Sequence, residues 1–378
     1  GTQDWSLNKL NFVGNIERTM SMHIKGSTVT TTNDYFTYDH ASRLLTHMQS
    51  INNQEQEVIV TNTYDEQGQL VEKGVGGKVS QSRLQAIDYE YNVRGWLRQI
   101  NEVDNLGADL FGFKINYNQQ EGVIQFDNLY NGNISQTIWR TASTDHATGV
   151  TAEKRGYSYR YDALNRITMG VMRRGDNLDI YTRHHLRSVS YDKNGNITRL
   201  QRDGQSAIVD DLTYSYDDGN RLLRVEDVIT VHNNEVFEDG NTVGNDYSYD
   251  TNGNMIQDLN KGIDDIEYNH LNLPTRVVTG QGTIDYIYDA AGIKHRKVVT
   301  EGSSVNTTDY ALNFQYENNR LQFISMPEGY IEPVTAPNAP TTYQYFYQYR
   351  DHLDNNRLTF FYNEAAGTVS LRINDTTA

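Results

Sequence analysis

The sequence predicts an all-β protein in which repeated β-hairpins form a long, spiralling antiparallel sheet. Two observations lead to this fold class. A short unit, Tyr-Asp or Tyr-Asn followed by a polar turn and an aliphatic residue, recurs along most of the 378 residues. Around these units apolar and polar residues alternate with a period of two, which is typical of strands. No long segment has the apolar spacing of an amphipathic helix.

The repeated unit is defined by a tyrosine, an acidic or amide residue and a turn. Seven copies begin with Tyr-Asp: Tyr38-Asp39, Tyr64-Asp65, Tyr161-Asp162, Tyr191-Asp192, Tyr216-Asp217, Tyr249-Asp250 and Tyr288-Asp289. Related copies are YNVRGWL (91–97), YNGNI (130–134), YNHLNLPTRV (268–277), YENNRLQFI (316–324) and YRDHLDNNRLTF (349–360). The tyrosines follow one another at intervals of roughly 20 to 33 residues, a spacing typical of repeat architectures.

Residues 157–169, YSYRYDALNRITM, show how one unit is built. Tyr157, Tyr159 and Tyr161 share one face of a predicted strand, because successive side chains of a strand alternate. Asp162 and Asn165 suit a turn, since both residue types hydrogen-bond nearby backbone and Asn tolerates positive φ. The chain then returns to aliphatic residues. One unit is therefore predicted to be strand, turn and strand.

The rest of the chain is assigned around these units as a single body over residues 1–378. Residues 1–30 are predicted to form strands, in the stretches LNFVGNIE, MSMHIKG and TVTTT. Residues 81–87 (QSRLQAI) suit one turn of helix. Residues 325–342 hold four of the five prolines and suit an extended loop. Residues 343–378 begin with a strongly alternating strand, YQYFYQYR.

Composition excludes several classes of function. The formal net charge of −16 repels phosphate backbones, so nucleic acid is not an expected partner. The absence of cysteine excludes disulfides and thiolate metal sites. No apolar run is long enough to span a membrane, so membrane insertion is not expected. The first residues, GTQDWSLNKL, have neither a basic start nor an apolar run, so any export signal is expected outside this chain.

Two turns, DKNGN (192–196) and DTNGN (250–254), offer oxygen ligands of the kind found in calcium loops. A helix–loop–helix calcium site needs Gly at its sixth position and Glu at its twelfth. The first of the two turns has Ile197 and Asp203 at those positions. Hydrogen bonding within the hairpin turn is therefore the favoured interpretation, and no metal or other cofactor is predicted.

Other charged patterns are also assigned structural roles. The adjacent carboxylates are Asp210–Asp211, Asp217–Asp218 and Asp264–Asp265. Neighbouring strand residues point to opposite faces, so such a pair does not face one substrate. His184, His185 and His352 lack metal-ligand spacing. The arginines that follow turns are expected to pack on tyrosines or pair with turn aspartates: Arg43, Arg166, Arg221, Arg320 and Arg357. No catalytic residue and no enzymatic activity are predicted.

The Tyr-Asp unit resembles the RHS/YD-repeat family, whose unit is Y-x-Y-D-x-x-G-R-L with a variable tail. The resemblance runs from about residue 30 to about residue 362. Three longer stretches are similar to RHS proteins of Bacteroidetes-type bacteria: IDYEYNVRGWLRQIN (87–101), LFGFKINY (110–117) and YNGNISQTIWRT (130–141). The stretch 349–358 resembles the D-H-L-G-x-x-R signature near the end of the RHS core, with Asp351, His352, Leu353 and Arg357 at the matching positions.

This resemblance implies a β-sheet ribbon that spirals into a hollow shell. In polymorphic toxins and insecticidal toxin complexes, such shells enclose a C-terminal toxic domain. In teneurin-like proteins, related shells belong to cell-surface adhesion molecules. The implied partners are an encapsulated toxin or effector domain or other parts of the same protein, with secretion machinery and surface glycans as further candidates.

The sequence departs from the family pattern in two ways. The glycine expected in D-H-L-G is Asp354, in a turn where a positive φ would favour glycine. The chain also contains no Asp-Pro. The closing segment with D-P-x-G motifs, which carries self-proteolysis in cleaving members, is therefore expected to lie outside this chain.

The function predicted from the sequence is a non-catalytic RHS-repeat β-shell of a secreted or cell-surface bacterial protein. Its toxin or effector cargo would lie outside this chain. The alternative is a cell-surface adhesin or carbohydrate-binding repeat body without cargo. Exposed tyrosines can stack on sugars, which keeps that alternative open.

Overall fold

The computed structural model describes residues 2–123, 126, 128–142, 153–205, 207–229 and 236–372. These residues form antiparallel strands joined by short turns. Helical structure among them is limited to one 3-10 turn, Leu259–Lys261. The predicted all-β fold, with long antiparallel sheets of hairpin strands, is confirmed.

The strands are given in chain order. The first fifteen are β1 Thr2–Leu10, β2 Ile16–Lys25, β3 Thr28–Tyr38, β4 Leu44–Ile51, β5 Glu57–Tyr64, β6 Leu70–Val75, β7 Gln85–Tyr91, β8 Leu97–Ile100, β9 Phe111–Asn116, β10 Gln136–Thr141, β11 Arg155–Tyr161, β12 Ile167–Arg174, β13 Ile180–Tyr181, β14 Leu186–Tyr191 and β15 Ile197–Asp203. The remaining fifteen are β16 Ile208–Tyr216, β17 Leu222–Asp227, β18 Tyr247–Tyr249, β19 Met255–Asp258, β20 Ile263–Tyr268, β21 Pro274–Thr279, β22 Gly282–Tyr288, β23 Lys294–Glu301, β24 Ser304–Ala311, β25 Phe314–Glu317, β26 Arg320–Met326, β27 Gly329–Val334, β28 Thr342–Arg350, β29 Asn356–Asn363 and β30 Thr368–Arg372.

The chain divides into two compact units. Unit 1 comprises residues 1–115, 138–154 and 322–378, and unit 2 comprises residues 116–137 and 155–321. In unit 1, β1 to β9 pair antiparallel in chain order, and β26 to β30 do the same. In unit 2, β11, β12 and β14 to β17 form one such series and β18 to β25 another. Strands that follow one another along the chain therefore also pair with one another within each series.

The register shifts by one residue at the tyrosine of nearly every repeated unit. In the β11–β12 hairpin, Arg160 faces Met169 but Tyr161 faces Ile167. The same shift occurs at Tyr38, Tyr64, Tyr191, Tyr216, Tyr249 and Tyr288. Such a bulge beside the loop is typical of a three-residue hairpin loop whose last residue is left-handed.

The largest fully buried side chains lie mostly in unit 1. Phe111, Tyr347 and Phe360 are 0% exposed. Burial at every second position is seen for Phe111 and Phe113 of β9 and for Tyr345, Tyr347 and Tyr349 of β28. The buried apolar side chains of unit 2 include the aliphatic residues Val225 and Leu212 and the aromatic residues Phe314 and Tyr316.

Three local expectations are corrected by the structure. Residues 325–342 do not form one loop, because Gly329–Val334 is β27 and buries Gly329 and Ile331 alternately against β28. Residues 81–87 contain no helical turn. Their last three residues begin β7, where Gln85 and Ile87 are buried at period two. The stretch 10–17 is largely a hairpin tip, since residues 11–15 connect β1 to β2.

Candidate functional site

The recurring turn is built around the carboxylate of the Tyr-Asp pair. Asp162 Oδ1 accepts hydrogen bonds from the backbone N–H of Leu164 (2.9 Å) and of Arg166 (3.0 Å). The backbone N–H of Asn165 donates to the carbonyl of Asp162 (3.0 Å), and Asn165 itself has φ 64°. The amide and guanidinium of Arg166 hold the pKa of Asp162 below its usual value. The carboxylate therefore organises the loop as an anion.

This geometry is shared by the other units. The aspartates that accept the same two backbone bonds are Asp39, Asp65, Asp192, Asp217, Asp250, Asp289 and Asp351. Asn92 and Asn269 take the same role with an amide oxygen. The third residue after each of the eight aspartates is left-handed, which explains the preference for Gly or Asn there.

The tyrosine of the pair connects one hairpin to the hairpin before it. The Tyr161 hydroxyl donates to the carbonyl of Ile134 (2.8 Å), and burial raises the pKa of Tyr161 to about 12, so the hydroxyl keeps its proton. We call this bond the latch bond. It recurs at 2.6–3.0 Å as Tyr38 to Ile16, Tyr64 to Leu44, Tyr91 to Leu70, Tyr191 to Ile167, Tyr216 to Ile197, Tyr249 to Leu222 and Tyr268 to Met255. The ring of Tyr288 instead lies beside Tyr286, with centroids 6.3 Å apart.

Three of the five arginines that follow turns, Arg43, Arg166 and Arg221, make both of the expected contacts. Arg166 donates to Asp162 Oδ2 (2.7 Å), and its guanidinium carbon lies 4.5 Å from the ring centroid of Tyr191 in the next unit. Arg43 and Arg221 repeat this arrangement with Tyr64 and Tyr249. Each of these arginines thus joins its own turn to the next tyrosine, which is the structural alternative to an anion site.

A second contact between turns was not foreseen from the sequence. Asn220 Oδ1 accepts hydrogen bonds from the side-chain amides of Asn194 (2.8 Å) and Asn196 (2.7 Å). Asn272 receives the amides of the 252–254 turn, and Asn165 those of the 131–133 turn, in the same way. The sequence pattern that accompanies this contact is Asn-x-Asn in one turn and, in the next turn, an Asn at the left-handed position.

The signature residues near the end of the RHS-like region meet an aromatic cluster of unit 1. The Arg357 guanidinium carbon lies 5.3 Å from the ring centroid of Trp139, 5.7 Å from that of Phe113 and 5.9 Å from that of Phe111. His352 stacks on Phe113 with centroids 5.4 Å apart, and burial lowers the pKa of its imidazole.

The other two signature residues complete this turn. Asp351 accepts the turn amides and lies 3.7 Å from Arg357 Nε, whereas Leu353 is exposed. Asp354 has φ 62°, the left-handed conformation expected where the family pattern has glycine. The arrangement brings Phe111, Phe113 and Trp139 against the 351–357 hairpin, and it orders this hairpin within unit 1.

Three buried tyrosine hydroxyls of β28 reach polar side chains on β4, β5 and β7 within unit 1. Tyr347 donates to Glu57 Oε1 (2.8 Å) and Tyr349 to Gln85 Oε1 (2.8 Å), while Tyr345 lies 3.3 Å from Gln49 Oε1. Burial raises the pKa of all three tyrosines. The acceptor glutamate also receives the backbone N–H of Gly77 (2.8 Å). These buried polar partners were not identified from the sequence.

Most of the carboxylates considered for catalysis or calcium make structural contacts, whereas Asp264 and Asp265 are exposed. Asp210 pairs with Arg202, and Asp211 Oδ2 lies 2.7 Å from Arg199 Nη2. Asp192 Oδ2 accepts the side-chain amide of Asn196 (2.8 Å). Within the part of the chain that the structure describes, no group of three or more His, Asp or Glu side chains could hold a metal ion. In the same residues no helix is long and apolar enough to cross a membrane.

Comparisons with known proteins give matches in solved structures alone. No protein-family model and no curated protein matches the chain. The fold is similar to the crystal structure of TcdB2-TccC3-Cdc42, with a TM-score of 0.63 and 14% identity over 95% of this chain and 19% of that chain. The structure of TcdB2-TccC3 gives a TM-score of 0.62 at 14% identity, over 95% of this chain and 20% of that chain.

TcdB2-TccC3 without its hypervariable C-terminal region gives a TM-score of 0.61 at 14% identity, over 95% of this chain and 19% of that chain. The chain spans about a fifth of the length of the chains it matches. At this identity the likeness concerns the fold. The chain is therefore similar in fold, over nearly its whole length, to a segment of the TcdB2-TccC3 proteins.

Proposed function

We propose that this chain is part of the wall of a hollow β-shell of the RHS/YD-repeat type, in a secreted or cell-surface bacterial protein. The wall would enclose a toxin or effector domain of the same protein and shield it until release. The observation that carries the proposal is the similarity of fold to TcdB2-TccC3 structures over 95% of the chain. The repeated Tyr-Asp units support it, because they are the sequence feature that resembles RHS proteins.

The contacts between hairpins support a mechanical role for the chain. Each strand within a series is hydrogen-bonded to the strands before and after it, which removes open sheet edges along the wall. The latch bonds add a side-chain connection at eight of the repeated units, such as that from Tyr191 to Ile167. The aspartates of the repeats are occupied by turn amides and arginines. We therefore propose a wall without catalytic activity.

Limited proteolysis of the complete gene product that contains this chain tests the enclosure. The domain that follows the wall should resist trypsin in the native protein, and it should be cleaved rapidly once the protein is mildly denatured or when it is expressed alone. Mass spectrometry of the fragments identifies the protected region. Cleavage of that domain at the same rate in the native protein and in isolation would refute the proposal.

A double variant that lacks two latch bonds tests whether the observed contacts between hairpins control the protection. Tyr191→Phe combined with Tyr216→Phe removes two consecutive latch bonds and keeps both rings. Local opening of the wall should then rise and cleavage of the enclosed domain should accelerate. Tyr130→Phe, at a tyrosine that is 68% exposed, is the matched control and should leave the cleavage rate unchanged.

A further inference from the structure

The imidazole of His185 takes the place of a backbone acceptor between β12 and β14 in unit 2. These two strands pair directly at Gly170 and Leu186. The same register, continued by two residues, would set Met172 opposite His184, but His184 is left-handed, with φ 68°, and lies outside β14. The backbone N–H of Met172 donates instead to His185 Nδ1 (2.9 Å), in a buried setting. A side chain therefore supplies the acceptor that the sheet lacks at this point.

The backbone carbonyls beside this bond are occupied by other strands. The carbonyl of His184 accepts the hydroxyl of Tyr157 (2.5 Å), and the carbonyl of His185 accepts the backbone N–H of Asp203 (2.9 Å). Met172 is 9% exposed, and a buried backbone N–H that loses its partner is unfavourable. The bond from Met172 to the imidazole therefore closes the junction between β12 and β14 beyond Gly170.

This bond also fixes the protonation state of His185. A neutral imidazole has one N–H and one acceptor nitrogen, whereas an imidazolium has two N–H groups and no acceptor. Because Nδ1 accepts, the single proton of the ring lies on Nε2, which is buried and has no hydrogen-bond partner within the described part of the chain. A second proton on His185 would convert Nδ1 into a donor and end its bond with Met172.

Charged and titratable groups surround the ring from each neighbouring element. They are Tyr157 of β11, Arg173 of β12, Tyr181 of β13, His184 before β14, Arg187 of β14, and Arg202 and Asp203 of β15. Burial lowers the pKa of His185; the carboxylate of Asp203 acts in the opposite direction, and Arg173, Arg187 and His184 lower the pKa further. The Asp203 carboxylate also accepts from Arg187 Nη1 (3.0 Å), and Arg202 pairs with Asp210. The folded chain therefore takes up a proton at His185 less readily than the unfolded chain.

We propose that His185 makes the junction between β12 and β14 sensitive to pH, so that the junction is closed at neutral pH and opens locally when the imidazole takes up a proton from solvent. The proton binds Nδ1, and the N–H of Met172 is released. Since the pKa of His185 is lower in the folded chain than its ordinary value of about 6.5, the stabilisation is fully present above that pH. It is lost as the pH falls from there towards the folded pKa. This device goes beyond the enclosing role proposed above and does not depend on it.

Hydrogen exchange of the whole chain between pH 7.5 and pH 5.5 tests the proposal. Protection of the amides of residues 170–174, corrected for the intrinsic pH dependence of exchange, should fall by about three- to tenfold over this interval. The size follows from uptake of one proton by the opened junction, which changes an equilibrium by at most about tenfold per pH unit. Protection of these amides that does not change with pH overturns the proposal.

Two histidine variants separate this residue from other titrating groups. His185→Asn places an amide oxygen near the position of Nδ1, so it keeps an acceptor that does not titrate. In this variant the protection of residues 170–174 should change by less than about twofold over the same interval. His270→Asn, at an exposed histidine of unit 2, is the matched control and should reproduce the pH dependence of the natural chain. A pH dependence in folded His185→Asn as steep as in the natural chain overturns the proposal.

Nitrogen-15 NMR of the natural chain tests the same bond without a substitution. Nδ1 of His185 should carry no proton at pH 7.5, and its protonation on acidification should coincide with a shift of the Met172 amide resonance. A protonated Nδ1 at pH 7.5 overturns the proposal, as does titration of His185 that leaves the Met172 amide unchanged. Circular dichroism of each variant at both pH values establishes that the chain as a whole remains folded.

Discussion

Replacing Tyr347 with phenylalanine removes one hydroxyl from the core of unit 1 and keeps the aromatic ring. The ring is 0% exposed and packs on Phe360, with centroids 5.7 Å apart. The hydroxyl donates to Glu57 Oε1 at 2.8 Å, and this carboxylate is 5% exposed. The substitution therefore isolates the contribution of one buried hydrogen bond between β28 and β5.

The expected cost follows from the partners that remain. A hydrogen bond to a charged group contributes about 1.5–3 kcal/mol net. After the substitution Glu57 keeps the backbone N–H of Gly77 and the ammonium of Lys78 at 3.2 Å, so the acceptor is not left without donors. We expect the free energy of unfolding to fall by about 1.5–2 kcal/mol, at the lower end of this range.

Urea unfolding followed by circular dichroism measures the change. Tyr343→Phe is the matched control, because its hydroxyl receives a 3.3 Å bond from the side chain of Asn52 in an exposed setting. Its expected cost is within about 0.5 kcal/mol. A double-mutant cycle with Glu57→Gln should give a coupling energy of about 1 kcal/mol or more. If Tyr347→Phe is no more destabilising than the control, the hydroxyl does not hold β28 in place and the reasoning fails.

Three further changes have defined outcomes. Asp354→Gly relieves a left-handed φ of 62° and should raise the free energy of unfolding by about 1 kcal/mol in urea titrations; an equal or lower value would contradict the assigned strain. Burial and then the charge of Asp88 raise the pKa of Asp109 to about 6, so its charged form opposes folding above that pH and the penalty fades as pH falls towards 4. Asp109→Asn should therefore raise the melting temperature at pH 7.5, by an amount equivalent to roughly 1 kcal/mol after solvent screening, and give no gain at pH 4, which a pH series of thermal scans checks. Tyr161→Phe removes one latch bond and should cost about 1 kcal/mol, with faster hydrogen exchange in the amides of β10 and β11; unchanged exchange there would count against the latch.

Local rules explain why the hairpins were predictable from the sequence. The bonds of Asp162 reach two and four residues along the chain, and the left-handed residue stands one position before the second of these amides. The period-two alternation of 157–161 needs no knowledge of the rest of the fold. Each unit therefore contains the information for its own turn, and the repetition of the unit indicates the sheet.

The partners of β28 could not be predicted, because nothing local identifies them. Tyr347 meets Glu57 across 290 residues of sequence, and Tyr349 meets Gln85 across 264. The segment 81–87 was misassigned for a related reason: its residues have good helix propensity, but pairing with β6 and burial of Ile87 decide its structure.

The acceptor of every latch bond is a backbone carbonyl, which affects how such a series of hairpins can change in evolution. Tyr161 and Tyr249 bind the backbone carbonyls of Ile134 and Leu222, each of which follows a turn. The bond therefore depends on the position of that residue and not on its side chain. If one complete hairpin is removed or duplicated, the next tyrosine still meets an equivalent carbonyl on its new neighbour. Hairpins are then interchangeable modules, and a series of paired strands can grow or shrink in steps of one repeat without new side-chain contacts having to arise.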